Sequence, residues 1–310
     1  MGSTGDRWIG ALAVAAAAST WGTLGIFVKL LYAQGVSFEA LVAVRASIGW
    51  LAVVGFVLAT RGARALRVER RELGFLLPLG LVGIGAFYLL YFYTLRESTV
   101  GTAAILLYSA PAFVVVLAWL FLREPLNAAK VLGLLLTIAG ISLVVGAYDP
   151  ANLEVSPEIL LTGLLSGLTY GLYAVLGRPV SGRLSPPVIL SYALAFGSAL
   201  LVVAALPTLD SLVGLPPSSY LILLMLSVVH TTLAFALYTF GIGRLGAGRA
   251  AIVATVEPVV AGLLGITLLG EGLTAPKALG AALVISGAIL AQLRPGKAPR
   301  GGPARAGRPR

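Results

Sequence analysis

The chain has 310 residues, of which 58% are hydrophobic and 11% are charged, and its formal net charge is +10. This apolar composition exceeds what a soluble core needs and predicts helices that span a membrane. The chain has no cysteine and one histidine, which excludes disulfide frameworks, thiolate metal sites and most histidine-built metal or triad chemistry. We therefore expect neither a metal nor a cofactor.

Ten apolar segments are long enough to cross a bilayer, since a spanning helix needs about 20 mostly apolar residues. In chain order they cover residues 8–31, 38–60, 73–94, 99–121, 126–147, 158–178, 187–206, 218–240, 247–269 and 276–293. The gaps between them are short and leave no room for a soluble domain. The tail, residues 294–310, is rich in Pro, Gly, Ala, Lys and Arg, and we expect it to be disordered.

The distribution of basic residues predicts the orientation, because positively charged loops face the cytoplasm. With a cytoplasmic N-terminus, all but four of the 22 Lys and Arg residues fall on the cytoplasmic side, the exceptions being Lys29, Arg45, Arg96 and Lys277. Both termini are therefore predicted to be cytoplasmic. The same distribution explains the net charge without a nucleic-acid partner, and binding of anionic membrane lipid by the tail is the alternative.

The second half of the chain repeats the first. Pro111 and Pro258 are 147 residues apart, and the same offset pairs Gly101 with Gly248, Glu124 with Glu271 and Lys130 with Lys277. Each half has five helices, an odd number, so the second half enters the membrane from the opposite side. We predict an all-α integral membrane protein with ten transmembrane helices in two inverted five-helix repeats, residues 1–148 and 149–293. In such proteins the substrate site lies where the repeats meet.

The repeated block resembles a known family. VGTAAILLYSAPAFVVVLAWLFLREPLNAAKVLGLLLTIAGISLVV and GAGRAAIVATVEPVVAGLLGITLLGEGLTAPKALGAALVISGAIL, with the opening TWGTLGIFVKL, are similar to the ten-helix EamA-type branch of the drug/metabolite transporter (DMT) superfamily. The resemblance implies a secondary transporter of a prokaryotic inner membrane. Members of such families export amino acids, other metabolites or drugs, and relatives carry nucleotide sugars or phosphorylated sugars. Within the superfamily the chain looks most like an amino-acid exporter.

Pro111 and Pro258 lie in the middle of the fourth and ninth segments. Proline removes one helical hydrogen bond and clashes with the carbonyl one turn back. Kinks at matching depth in both repeats indicate a central site. The alternative is a kink that shapes only the packing.

Three ionisable residues have no polar counterpart in the other repeat. Glu257 aligns with Ala110, His230 with Gly83 and Arg45 with Leu194. Glu257 is predicted to hold a substrate ammonium or to cycle a proton, or else to bond to Thr231 or Thr255. His230 is predicted to act in transport or to be a neutral packing residue. Arg45 is predicted to bind a carboxylate, or to pair with Glu39 or Glu257.

Several aromatic residues fall inside the segments, whereas interfacial belts would place them at the ends. We predict that they contribute to an amphipathic cavity for the substrate, with packing or lipid contact as the alternative. The predicted substrate-binding residues are Trp21, Arg45, Tyr91, Tyr108, Tyr170, His230, Tyr238 and Glu257.

Small residues form a face on each of the fifth and tenth segments. Gly133 and Gly140 are two turns apart, as are Gly280 and Gly287. Small faces let helices approach closely. We expect these segments to be outer packing helices, with a homodimer contact as the alternative, so the protein is predicted to be a monomer or a weak homodimer.

The function predicted from these residues and from the resemblance is export of small amphipathic metabolites, particularly neutral or aromatic amino acids, by alternating access. A proton-coupled multidrug or metabolite exporter is the alternative. A non-transporting membrane receptor or scaffold is the alternative of another class. An enzyme is disfavoured, because the spans contain one histidine and one deep glutamate. The sequence has no Gly-x-x-x-x-Gly-Lys-Ser/Thr phosphate-binding loop, so transport driven by ATP hydrolysis in this chain is not expected.

Overall fold

A computed structural model describes residues 4–122, 126–146, 155–245 and 247–292. Within these ranges every regular element is helical. Ten helical segments follow in order: α1 (Thr4–Ala33), α2 (Phe38–Arg61), α3 (Arg70–Glu97), α4 (Val100–Leu107 and Ala110–Leu122), α5 (Ala128–Val144), α6 (Pro157–Gly177), α7 (Pro186–Ala205), α8 (Pro217–Leu245), α9 (Ala247–Ala254 and Val256–Leu269) and α10 (Ala275–Gln292).

The predicted fold class is confirmed. Eight of the ten segments are long and apolar enough to cross a membrane, and α5 and α10 are shorter apolar helices. The predicted disordered tail lies outside the described residues, as do Arg123 and Glu124.

Side-chain caps set the beginnings of several helices. The Ser37 hydroxyl accepts from the Ala40 N–H, Asn127 Oδ1 accepts from the Lys130 N–H, and the Ser156 hydroxyl accepts from the Ile159 N–H. Each satisfies an amide that the first turn of a helix leaves without a backbone partner. These caps therefore stabilise the first turns of α2, α5 and α6, directly after the short connections predicted from the sequence.

The packing of the helices repeats with the two halves exchanged. Helix α1 packs against α8 and α9, and its counterpart α6 packs against α3 and α4. Two further extensive contacts pair equivalent helices, α2 with α7 and α5 with α10. This exchange of equivalent contacts between the halves is the arrangement expected of two inverted repeats.

The glycine faces of α5 and α10 lie against each other. A Cβ atom on Gly133 would lie 2.8 Å from the Gly287 carbonyl oxygen, and one on Gly140 would lie 2.8 Å from the Val284 amide nitrogen. The glycines therefore let the two backbones touch, as expected for small faces in a membrane. A homodimer through this face would have to separate α5 from α10, so the glycines favour packing within the chain.

Four irregularities interrupt the helices at equivalent positions. A π-helical turn occupies Leu81–Ala86 in α3, and its counterpart occupies Val228–Leu233 in α8. Helix α4 breaks after Leu107 and helix α9 breaks at Thr255. Both breaks come within one turn before a proline, Pro111 or Pro258, whose ring cannot donate to the carbonyl four residues earlier.

Candidate functional site

Arg45 lies two turns into α2 and is buried, with 5% of its surface exposed. Its Nη2 is 3.5 Å from the His230 carbonyl oxygen, and its Nε has no hydrogen-bond partner. The guanidinium carbon lies 4.7 Å from the centre of the Tyr88 ring and 5.3 Å from that of Phe92. Within the described residues neither Glu39 nor Glu257 forms an ion pair with Arg45, contrary to one alternative from the sequence.

The π-helical turn in α8 makes the His230 carbonyl available. In a regular α-helix the Ala234 N–H would donate to the His230 carbonyl, but here it donates to the carbonyls of Val229 and Thr231. The His230 carbonyl instead accepts from the Trp21 indole N–H at 2.9 Å and from Arg45. One irregular turn thus holds side chains from α1 and α2 together.

The His230 ring is enclosed by α1. Its Nε2 lies 2.9 Å from the Thr23 hydroxyl, and its ring centre lies 5.7 Å from that of Phe27. The Thr23 hydroxyl also donates to the Thr20 carbonyl at 2.7 Å, so its one hydrogen is used there. This favours the tautomer in which His230 Nε2 carries the hydrogen and donates to Thr23.

Glu257 lies in the first turn of the second part of α9, directly after the break. Its Oε2 is 3.1 Å from the Tyr108 hydroxyl of α4, which is also 2.8 Å from the Ala254 carbonyl oxygen. Pro258 frees that carbonyl, because a backbone N–H four residues later would otherwise donate to it. The two candidates named as partners, Thr231 and Thr255, bond to the carbonyls of Leu226 and Ile252 instead.

The remaining predicted residues connect these two charged centres. Trp21 and Tyr238 have ring centres 5.4 Å apart, and Tyr170 and Tyr91 lie 5.2 Å and 5.8 Å from Phe87. The phenols of Tyr91, Tyr170 and Tyr238 are all electrostatic neighbours of Glu257, and Tyr91 is also a neighbour of Arg45. The structure therefore brings all eight predicted substrate-binding residues into one cluster between the two halves.

Tyr170 lies at the edge of the cluster. It packs against Phe87 and has Tyr238 and Glu257 of the other helices as electrostatic neighbours, yet 47% of its surface is exposed. Trp21, Tyr91, Tyr108, Tyr238 and Glu257 are half-buried. Polar tips on partly open aromatic side chains suit a small molecule with one charged and one apolar end.

A surface cavity lies apart from this cluster. It has a volume of about 490 Å³ and lies between α2, α7 and α8, where Phe56, Pro186, Phe235 and Phe240 contribute to its wall. None of the eight predicted residues lines it. Its wall is mostly apolar but includes Arg61.

Two charged residues hold the connection between α3 and α4. The Lys29 ammonium donates to the carbonyls of Arg96 and Ser98, at 3.2 and 2.7 Å. The Glu271 carboxylate accepts from the amides of Val100 and Gly101, at 2.6 and 3.1 Å. Lys29 is thereby bonded to the end of α3.

Some residues of the cluster were not predicted. Phe92 lies beside Arg45, and Thr23 and Phe27 contact the His230 ring. Phe87 packs against Tyr91 and Tyr170. All four are ordinary components of apolar helices. Their helical spacing gave one usable signal: Tyr91 lies four residues after Phe87 and three after Tyr88, which places it beside both on the helix surface. The partner of that face, Tyr170, is set by tertiary packing. Among the described residues no group of three or more His, Cys, Asp or Glu is arranged to hold a metal ion.

Each half of the chain matches the model of one protein family. A model of the EamA-like transporter family matches residues 8–146 and again residues 158–293. A solved structure that is 24% identical, covering 91% of this chain and 96% of its own, superposes with a TM-score of 0.63 and supports the fold.

Curated relatives are named as transporters. An uncharacterized transporter of Archaeoglobus fulgidus is 31% identical over 91% of this chain and 96% of its own length. The uncharacterized inner membrane transporter YicL of Salmonella typhimurium is 29% identical over 94% of this chain and 97% of its own. A protein of Streptantibioticus cattleyicolor named probable terminal-alkyne amino-acid exporter is 25% identical over 79% and 81%. The chain is an integral membrane protein that belongs to the EamA-like transporter family, a family of transporters and not of enzymes.

Proposed function

We propose that this transporter exports small amphipathic metabolites, most specifically neutral or aromatic amino acids. The observation that carries the proposal is the cluster between the two halves, in which buried Arg45 and half-buried Glu257 lie among the same aromatic residues, with the Tyr91 phenol near both. A zwitterion presents a carboxylate to the first and an ammonium to the second, while its side chain packs on the aromatic rings.

The architecture supports alternating access as the mechanism. The site lies where two repeats meet, and breaks in α4 and α9 at equivalent positions give both halves a place to bend. Rocking of one set of helices against the other would expose the cluster to each side in turn. The relative named as an amino-acid exporter supports this substrate class.

The proposed setting is a prokaryotic inner membrane, with both termini in the cytoplasm. The support is the concentration of Lys and Arg in loops on one side, together with the relative named as an inner membrane transporter. Substrate would then move from the cytoplasmic side outward.

Proton-coupled export of drugs or metabolites is the second candidate, and one observation favours it. The Tyr108 hydroxyl has a single hydrogen but two acceptors, the Ala254 carbonyl and Glu257 Oε2. When Tyr108 donates to Ala254, the carboxyl of Glu257 must carry a hydrogen to bond to Tyr108. A protonated Glu257 cannot hold a cation, so proton and substrate would compete for it.

A panel of radiolabelled amino acids and drugs in proteoliposomes, with and without a pH gradient, tests both candidates. We expect efflux of neutral and aromatic amino acids that exceeds efflux of cationic drugs. Coupling to protons predicts that the gradient drives efflux and that Glu257→Gln abolishes this dependence. Uniport predicts efflux that is indifferent to the gradient. Absence of efflux for every amino acid would contradict the amino-acid proposal.

A further inference from the structure

Arg45 has more hydrogen-bond donors than the protein uses. A guanidinium carries five N–H donors and one positive charge. In the structure one nitrogen makes a 3.5 Å contact to the His230 carbonyl, and the buried Nε has no partner. A buried cation without a counter-ion is strongly unfavourable in a membrane protein unless another group compensates it.

The surroundings hold the guanidinium in place but do not neutralise it. The rings of Tyr88 and Phe92 lie within cation–π distance, at 4.7 and 5.3 Å. The His230 carbonyl is fixed in turn by the Trp21 indole. No carboxylate of the described residues forms an ion pair with Arg45. Its planar donor edge is therefore preorganised for a negative charge that no carboxylate in the described part of the chain supplies.

The site is specific to one half of the molecule. The π-helical turn recurs in α3, where the Phe87 N–H donates to the carbonyls of Val82 and Ile84 and not to that of Gly83. Leu194, buried in α7, occupies the position equivalent to Arg45. The repeat thus provides a free carbonyl in both halves, but only the second-half carbonyl has an arginine beside it.

The single charge and planar geometry of the Arg45 guanidinium favour a carboxylate ligand over a phosphate. One guanidinium matches one carboxylate through two parallel hydrogen bonds, whereas a doubly charged phosphate calls for further cations. Lys29, the other cation well inside a described helix, is bonded to the carbonyls of Arg96 and Ser98. A monocarboxylate therefore fits better than a phosphorylated molecule.

We infer that Arg45 forms a carboxylate subsite, in which Trp21 and His230 are positioning residues, and that the transported molecules must carry a carboxylate. This inference rests on the proposed function, because it names the group by which the proposed amino-acid substrate is held. It excludes amines and amides of the same shape, which can bind the aromatic surface and Glu257 but leave the guanidinium without a counter-ion.

The test compares L-phenylalanine with L-phenylalaninamide, which has nearly the same shape, and with phenethylamine, which lacks the carboxyl group altogether. All three have an ammonium and a phenyl ring, and only the first has a carboxylate. In wild-type proteoliposomes we expect transport of L-phenylalanine to exceed that of the other two at least tenfold. Arg45→Gln should lower transport of L-phenylalanine to the level of the amide. Arg96→Gln, in an exposed ion pair with Glu97, is the matched control and should keep the wild-type ratio.

Two results would overturn the subsite. One is equal transport of L-phenylalanine and its amide by the wild-type protein, a result that does not depend on whether Arg45→Gln folds. The other is a wild-type ratio in folded Arg45→Gln protein. In both cases amino acids are still transported, so the proposed function survives.

Failure of the amino-acid proposal can also be distinguished from failure of the carboxylate subsite. If no amino acid is transported, thermal stabilisation of the purified protein by benzoate is measured against benzamide. Stabilisation by benzoate that is lost in Arg45→Gln keeps the carboxylate subsite while the amino-acid proposal falls. Equal effects of benzoate and benzamide overturn the subsite as well.

Discussion

The substitution Gly140→Ala places a methyl group between α5 and α10 and should destabilise the protein. At Gly140 the added carbon would lie 2.8 Å from both the Val284 amide nitrogen and its Cγ2, where about 3.4–4 Å is normal for such contacts. Val284 is fully buried, and the equivalent contact of Gly133 with Gly287 holds the other end of the helix pair. The helices must therefore separate by roughly half an ångström or more to admit the methyl group.

Overpacking of a tight core destabilises a protein by about 1–3 kcal/mol. Replacing glycine by alanine inside a helix stabilises it by about 0.5–1 kcal/mol, because glycine loses more conformational freedom on folding. The difference is about 0–2.5 kcal/mol, so we expect Gly140→Ala to lower the free energy of unfolding by about 1 kcal/mol. The assay is equilibrium unfolding in mixed micelles, followed by circular dichroism.

Gly55→Ala is the matched control, since a Cβ atom there has no neighbour within 4 Å. It should be neutral or stabilising by up to about 1 kcal/mol. If Gly140→Ala were as stable as Gly55→Ala, the close backbone contact between α5 and α10 would be refuted. Gly280→Ala should resemble Gly140→Ala, and the two changes together should be non-additive, because the residues touch.

Two further changes test the polar contacts. Glu271→Ala leaves the amides of Val100 and Gly101 without their acceptor and should lower the free energy of unfolding by about 1–2 kcal/mol in the same assay; an effect no larger than that of Glu97→Ala would contradict this role. Tyr108→Phe leaves the carbonyl freed by Pro258 without a donor and should cost about 1–3 kcal/mol; Tyr220→Phe, which loses a bond at the exposed start of α8, should cost less.

Much of the fold follows from patterns in the sequence. Apolar segments of spanning length, punctuated by Pro, Gly and charge, predict the ten helices, and the fixed offset between Pro111 and Pro258 predicts their equivalence. The glycine faces of α5 and α10 predict close packing. Their mutual contact could not be predicted, because a small face indicates how near a partner comes and not which helix it is.

The site is predicted less completely. Arg45, His230 and Glu257 stand out because polar residues are costly in a membrane and these three break the internal repeat. The π-helical turn that exposes the His230 carbonyl has no marker in the sequence, since neither Pro nor an insertion accompanies it. Contacts such as that of Thr23 with His230 join residues 207 positions apart and depend on how the halves pack.

Efflux of L-phenylalanine from proteoliposomes tests the central claim most directly, with wild-type protein, Arg45→Ala and Glu257→Gln compared at equal, folded incorporation. A site that holds the carboxylate at one end and the ammonium at the other predicts that each change lowers efflux at least tenfold, since a charge-assisted hydrogen bond contributes about 1.5–3 kcal/mol. Efflux that is unaffected by both changes would contradict the account.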